Sequence, residues 1–535
     1  MAAPPRQSGP LPADPELDTA ATYGLRPAVV RRLAAAVVAT SGDTTTTYAP
    51  FTGQPLAVLP VSTPADVETA TGMARAAQTG WAAQAPGARA EVLLALHDLV
   101  LDRQEEILDV IQWESGKARR HAFEEVAHVA LTARYYGRTA RRMLRPERRR
   151  GLYPAFTRVD VARHPKGVVG LISPWNYPFT MALSDGLAAI AAGNAVVLKP
   201  DASTPLSALL GVELLREAGM PADLWQVVHG EGPVIGPSVV DSADFVCFTG
   251  STPTGREVGS RAAGRLVGAS LELGGKNAML VLQDADLERA AETAVRGCFS
   301  AAGQLCVAVE RVYAADRIYD RFMQLFVAKV VALRLSPALD YSADMGCLVS
   351  RHQLDVVIRH VDGARAQGAR VLTGGRARPD IGPLFYEPTV LAGVRPGMAC
   401  FGDETFGPVV AVYRFGDEAD AVARANEGGY GLNACIVTRD AARGRALARQ
   451  IRCGTVTVNE TYAAGFGSID APMGGMRDSG LGRRQGREGL YRFTEPQTIA
   501  TQRMLPLRPV LGIGERSHAR ALTATMRTLK WLHRP

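Results

Sequence analysis

The chain has no run of eighteen uncharged apolar residues, and its start, Met1-Ala2-Ala3-Pro4-Pro5-Arg6, has no basic stretch leading into an apolar one. Neither a membrane-crossing helix nor an export leader is expected, so the reading is a soluble, cytoplasmic protein. Cys-x-x-Cys pairs are also missing. The seven cysteines, at 247, 298, 306, 347, 400, 435 and 453, are odd in number and lack short metal-ligand spacing. That speaks against a disulfide framework or a metal site and leaves reduced thiols, any of which can act as a nucleophile. Lysine is scarce too: only six of the 60 basic residues are lysine, so arginine carries the net charge of +7. The densest basic run, Arg138 to Arg150, lacks interleaved aromatics that would stack on bases. A solvated or intersubunit face is expected there, and no nucleic acid.

What is present is a long chain, 535 residues with 47% hydrophobic content, enough for two or three domains with large interiors. From residue 167 short apolar runs alternate with helical patterns. Strands are expected at 168–172, 195–198, 224–228 and 245–248, with helices at 179–192, 205–218, 233–240 and from 253. Strict alternation implies parallel pairing with helical crossovers, hence a doubly wound α/β sheet. A second series begins at Asn277, with a strand to Leu282, a helix near 286–301, a strand at 311–315 and a helix to about 333. It predicts a second α/β domain, with the boundary close to Glu272 and a cleft between the two. Ahead of the first sheet stand a Pro-rich leader to about residue 45, expected to be poorly ordered, and a mostly helical stretch over 64–145.

Four short motifs occur in order: Pro174-Trp175-Asn176-Tyr177-Pro178, Glu272-Leu273-Gly274-Gly275-Lys276, Gly303-Gln304-Leu305-Cys306 and Glu404-Thr405-Phe406-Gly407-Pro408. Together they resemble the aldehyde dehydrogenase superfamily over roughly positions 46–503. The resemblance implies an NAD(P)-binding domain from 46–146 and 167–272, a catalytic domain at 273–476, and a small β oligomerisation arm from 147–166 and 493–505. It also implies a homodimer or homotetramer. Residues 1–45 and 506–535 become terminal extensions. The last of these places Leu522, Met526, Leu529 and Leu532 among basic residues, which suits a tail packed on a neighbouring subunit or a helix on a membrane surface.

The resemblance assigns the chemistry residue by residue. Oxidising an aldehyde needs a nucleophile that makes the flat carbonyl tetrahedral so that hydride can leave, and a thiolate does this well. Cys306 is that thiol by motif; an inert buried cysteine is the bland reading, and it suits most of the other six. Asn176 is the oxyanion donor, with the Cys306 backbone N–H as the second. Position alone leaves Asn176 equally able to cap the helix after it. Glu272 is the base that takes a proton from the attacking water, against a solvated glutamate at a strand end. Its presence favours hydrolysis to the free acid over transfer to coenzyme A or phosphate.

Cofactor residues are fainter. Gly250 and Ser251 open a helix after a strand without the GxGxxG spacing. In the family pattern Lys199 bonds the adenosine ribose, Glu404 the nicotinamide ribose, Phe406 follows in the same motif, and Trp175 and Ser251 lie near the phosphates. NAD-preferring members often carry glutamate three residues after the lysine; here Ala202 stands there, which predicts NADP, with NAD possible. Asp201 adds a charge close by that opposes a 2′-phosphate. The whole-chain look resembles a second type of NADP-dependent succinate-semialdehyde dehydrogenase. Yet the positions where the better characterised branch holds the substrate carboxylate with arginines are Ser184 and Ser300. Another anion partner is therefore expected, with the Tyr462–Ser468 loop as the candidate. Aliphatic or aromatic aldehydes without a carboxylate are the alternative substrates, and a noncatalytic structural protein on the same fold is the remote one.

Overall fold

In the computed structural model, residues 24–152, 156–503, 508–509 and 512–531 are described. Two sheets organise the larger compact unit, which takes in residues up to Met143 and Pro165–Thr494. The first has six strands in the order Gly480–Leu481, Gly268–Glu272, Phe245–Thr249, Val168–Ile172, Ala195–Lys199 and Trp225–Val227. All pairs but the first are parallel. Val168–Ile172 and Ala195–Lys199 are buried at every position, as strands rich in Val, Leu and Ile and covered on both faces should be. The expected strands and helices of this series are found within one or two residues of their predicted ends. Between them, the helix Pro178–Ala192 starts on a proline, where the missing N–H costs nothing, and stops at Gly193, whose φ of 97° favours glycine.

The second sheet has seven strands, ordered Arg370–Thr373, Thr389–Ala392, Val409–Phe415, Val309–Ala315, Asn277–Val281, Asn433–Val437 and Thr455–Val458. Only its first pair is antiparallel. The change of sheet falls in the connection 273–276, next to Glu272. The chain returns at Gly480–Leu481 to pair with Glu272 and Leu271.

The helical stretch over 64–145 is four helices, Pro64–Ala83, Pro86–Asp102, Gln104–Ser115 and Arg119–Met143. Residues 1–23 of the expected leader lie outside the described residues. Its remainder differs from expectation: Pro27–Ala34 is a helix that buries Val29, Val30 and Leu33, and Val37 bridges to Val227 at the sheet edge. Three apolar residues on one stripe are enough to hold it down.

The smaller unit comprises residues 144–164 and 495–535. Its three-stranded sheet runs Thr494–Gln502, Thr157–Pro165, Glu147–Arg150. After Thr494 the edge strand is exposed along its whole length. The tail forms the helix Glu515–Trp531, which buries no residue; Leu532 lies outside the described residues. No described helix is long and apolar enough to cross a membrane, and no group of three or more metal-ligating side chains occurs among the described residues.

Candidate active site

In the six-stranded sheet, Val168–Ile172 is followed by the strands on one side, while Phe245–Thr249 and Gly268–Glu272 lie on the other. Order reverses between Val168–Ile172 and Phe245–Thr249, and ligands bind outside the carboxyl ends of parallel strands at such a switch point. A cavity of about 320 Å³ opens there. Trp175, Asn176, Gly250, Ser251, Glu272, Cys306, Glu404 and Phe406 all line it. Lys199 and Ala202 do not; they stand at the end of the adjacent strand, with Lys199 only 4% exposed.

Cys306 is brought to the cavity by a strained turn. Ala301, Ala302 and Gly303 have φ of 48°, 56° and 71°, successive left-handed residues in Ser300–Gly303. Such geometry persists only where the surroundings impose it. Here Gln304 locks it: its side-chain amide donates to the Ala301 and Cys347 carbonyls, and its oxygen accepts from Val349 N–H at 2.9 Å. Asn277 Nδ2 holds the Cys306 carbonyl at 2.7 Å. Burial, then the facing carboxylates of Glu404 and Glu272, push the Cys306 thiol up to about 12. Thiol attack therefore needs a base. The other six cysteines are buried and none lines the cavity.

Asn176 is aimed from below. Its Nδ2 donates to the Gln304 carbonyl at 3.0 Å, which leaves its second amide hydrogen for a ligand. Its own carbonyl accepts from Lys117 Nζ at 2.6 Å, and Lys117 in turn pairs with Glu125 at 2.5 Å, both fully buried. The other Glu125 oxygen accepts from Phe179 and Thr180 N–H at 2.9 Å each. Glu125, not Asn176, thus caps the helix Pro178–Ala192. The capping alternative for Asn176 is removed, because a distant glutamate occupies that place.

Glu272 ends its strand inside the cavity wall. Its Oε1 is buried with no hydrogen-bond partner, against Gly474, where a side chain would come within 3.1 Å of that oxygen. Burial raises its carboxyl to about 7, with Arg484 pulling the other way. Glu404 is also pushed up, to about 8, by burial and Glu310, while Gly275 N–H donates to it at 2.7 Å. The Glu404–Phe406 loop is pinned by Glu310, which accepts from Thr405 and Phe406 N–H and pairs with buried Lys276.

Sequence reasoning missed the walls. Tyr177, Met181, Leu305, Val307, Leu432, Phe466 and Met473 make the end beyond Cys306 apolar. Tyr177 is fixed by its hydroxyl on Glu124 at 3.0 Å and by Lys117 3.9 Å from its ring centre. Among the described residues, Arg484 is the only lysine or arginine lining this cavity. The expected anion partner in the Tyr462–Ser468 loop is not supplied by its hydroxyls, since Tyr462 donates to Glu124 and Ser468 to Ala464. That loop presents Phe466 instead. One available signal was overlooked: against 54 arginines, each lysine is an exception. Three of the six, Lys117, Lys199 and Lys276, are buried beside the site, where a compact ammonium fits and a planar fork does not.

The residues fit a dinucleotide. Strand ends, the amino end of the helix Thr252–Gly264 and the close approach of Gly274 to Glu404 make a cradle that a Cβ at Gly274 would fill, at 2.3 Å from the carboxylate. Lys199 lies near Asp201 and Glu231, both of which favour its charged form against burial. Glu231 was not foreseen, as it lies on a different loop.

The profile described as the aldehyde dehydrogenase family matches residues 37–499. A protein of Mycolicibacterium smegmatis named as a putative succinate-semialdehyde dehydrogenase (NADP(+)) is 48% identical over 482 residues, covering 90% of this chain and 93% of its own. Betaine aldehyde dehydrogenase of Staphylococcus aureus, solved with NAD+, superposes with a TM-score of 0.84 at 29% identity, covering 89% of this chain and 95% of that one. A solved NADP-dependent enzyme of E. coli gives 0.83 at 32% identity, covering 87% and 96%.

Proposed function

The chain belongs to the aldehyde dehydrogenase family, and from that premise we propose that it oxidises succinate semialdehyde to succinate with NADP. The observation that carries the chemistry is the meeting of Cys306, Glu272 and Asn176 in one cavity. Cys306 sulfur bonds the carbonyl carbon while its proton passes to Glu272. The carbonyl oxygen gains the electron pair and takes hydrogen bonds from the free Asn176 amide hydrogen and the Cys306 N–H. A nicotinamide cofactor supplies the hydride acceptor when bound, and a thioester remains on Cys306. After hydride loss Glu272 gives up the Cys306 proton to solvent; it then takes a proton from water, the water oxygen bonds the acyl carbon, the C–S bond breaks and the leaving thiolate takes that proton from Glu272. Lys199, Ser251, Trp175 and Glu404 are the residues that would hold and orient the dinucleotide.

The semialdehyde is supported by the name of the 48% identical relative. The apolar end of the cavity favours a second reading, an uncharged aliphatic or aromatic aldehyde. Incubating the protein with succinate semialdehyde or butanal and following absorbance at 340 nm separates them. NADP reduction with the semialdehyde at the lower KM is expected; a lower KM for butanal discards the substrate and keeps the chemistry.

The NADP reading rests on Ala202, which offers no carboxylate to repel a 2′-phosphate, against the charge of Asp201, whose Oδ1 accepts from Ser203 N–H and Oγ at 2.9 and 2.6 Å. Glu231 opposes it. Glu231→Gln is expected to raise the NADP-to-NAD ratio of kcat/KM about fivefold, since removing one nearby charge is worth roughly 1 kcal/mol at a solvated surface. An unchanged ratio places Glu231 outside the nucleotide's reach. The exposed edge strand Thr494–Gln502 supports assembly into a homodimer or homotetramer.

A further inference from the structure

Arg484 is buried, yet poorly satisfied. Its Nε donates to Asp185 Oδ1 at 3.2 Å and its Nη1 meets only Met181 Sδ at 3.1 Å. Nη2 lies 3.0 Å from the same Asp185 oxygen but makes no hydrogen bond. Arg492 has taken that oxygen at 2.6 Å and also donates to Ser270, two residues before Glu272 on the same strand. A guanidinium has five donors, and here one face of it is left for another acceptor.

Such an acceptor lines the same cavity. Glu272 Oε1 is the unpartnered carboxylate oxygen of the same cavity, and it lies against Gly474. Gly474 follows Met473, which exchanges both backbone hydrogen bonds with Arg484 at 2.7 and 2.8 Å. An orphaned donor and an orphaned acceptor thus belong to one cavity wall, the acceptor against Gly474 and the donor on the residue paired to the neighbouring Met473. We propose that Arg484 is a positioning residue for Glu272: the free face of its guanidinium receives the charged carboxylate and holds it between Cys306 and the incoming water. This rests on the reading of Glu272 as the base.

The groups that act on Glu272 come from three directions. Arg484, Arg492 and Arg483 favour its charged form and Asp185 opposes it, while Cys306 and Cys247 feel its charge in return. Around Arg484 itself stand Asp185, Arg492, His128 and Tyr136. His128 is held neutral by burial, its pKa depressed to about 3, and the tyrosine stays protonated in the ordinary range. The competition at the base is therefore between the arginines and Asp185.

The ionisation of Glu272 can be read without turnover, as the infrared carbonyl band of its protonated carboxyl, identified by its loss in Glu272→Gln. Arg484→Met is expected to move the midpoint of that band up by about one pH unit or more, the size of effect an adjacent opposite charge has. Arg484→Lys should stay near the parent, and Asp185→Asn should move the midpoint down. An unmoved midpoint in Arg484→Met overturns the proposal, as does a raised KM for succinate semialdehyde with the midpoint unchanged, which would make Arg484 a carboxylate site for substrate. If Arg484→Met does not fold, an unshifted Asp185→Asn overturns it equally. Shifted bands in a protein that reduces no cofactor would sink the proposed function and leave the placement of Arg484 standing.

Discussion

Cys306→Ala is expected to lower aldehyde-dependent cofactor reduction by at least about 10⁴-fold, the range seen when a covalent nucleophile is removed from a site whose other parts remain. That loss corresponds to roughly 5 kcal/mol or more of transition-state stabilisation. Folding should be little affected. The thiol is partly exposed to the cavity and makes no side-chain hydrogen bond that supports the fold. The locked turn around it depends on Gln304 and Asn277 rather than on sulfur. The check is steady-state rate together with thermal unfolding on the same preparation. Residual activity near the parent's would remove the Cys306 thioester route and call for a different nucleophile, which cannot be a cysteine of this cavity because none of the other six lines it.

Glu272→Gln should slow both halves of the reaction. The glutamine keeps shape and loses the base, and general bases contribute on the order of 10²–10⁴-fold. Steady-state turnover should fall by that amount, and rapid mixing should show the first reduced cofactor per site appearing slowly as well, because Glu272 also takes the Cys306 proton. The pH profile supplies the second signature. Burial holds the Glu272 carboxyl near 7, so the working charged form is lost as pH falls through that value. The parent's rate should drop on the acid side of 7, and in Glu272→Gln that limb should vanish. A variant with full steady-state turnover would assign water activation elsewhere, and Glu404, pushed to about 8 in the same cavity, would be the next candidate.

That Cys306, Glu272 and Asn176 share one cavity with most of the residues proposed for the cofactor was legible because each lies in a short local motif. Lys199 and Ala202 were found by the same route but stand off the cavity, at the neighbouring strand end. The sheets were legible because fully buried parallel strands are written as unbroken apolar runs, as in Val168–Ile172. Supports held by distant parts were not legible. Lys117 and Glu125 sit on the early helical stretch and act on Asn176 and the helix start after it, more than fifty residues away. Arg484 reads in the sequence as one basic residue beside Arg483, and only burial against Asp185 and Met181 gives it a role.

The sequence by itself determined which atoms can react, since sulfur, carboxylate and amide are properties of Cys306, Glu272 and Asn176 wherever they stand. It also determined the two α/β series, because local periodicity decides strand and helix before any long-range contact forms. The tertiary structure decided what those groups are like: a thiol pushed up to about 12, a carboxyl raised to about 7 and an amide with one hydrogen committed. It also decided that the space beyond Cys306 is apolar. Those properties depend on water excluded and charges brought together by chain segments far apart in sequence, and desolvation and Coulomb interaction act through space rather than along the chain.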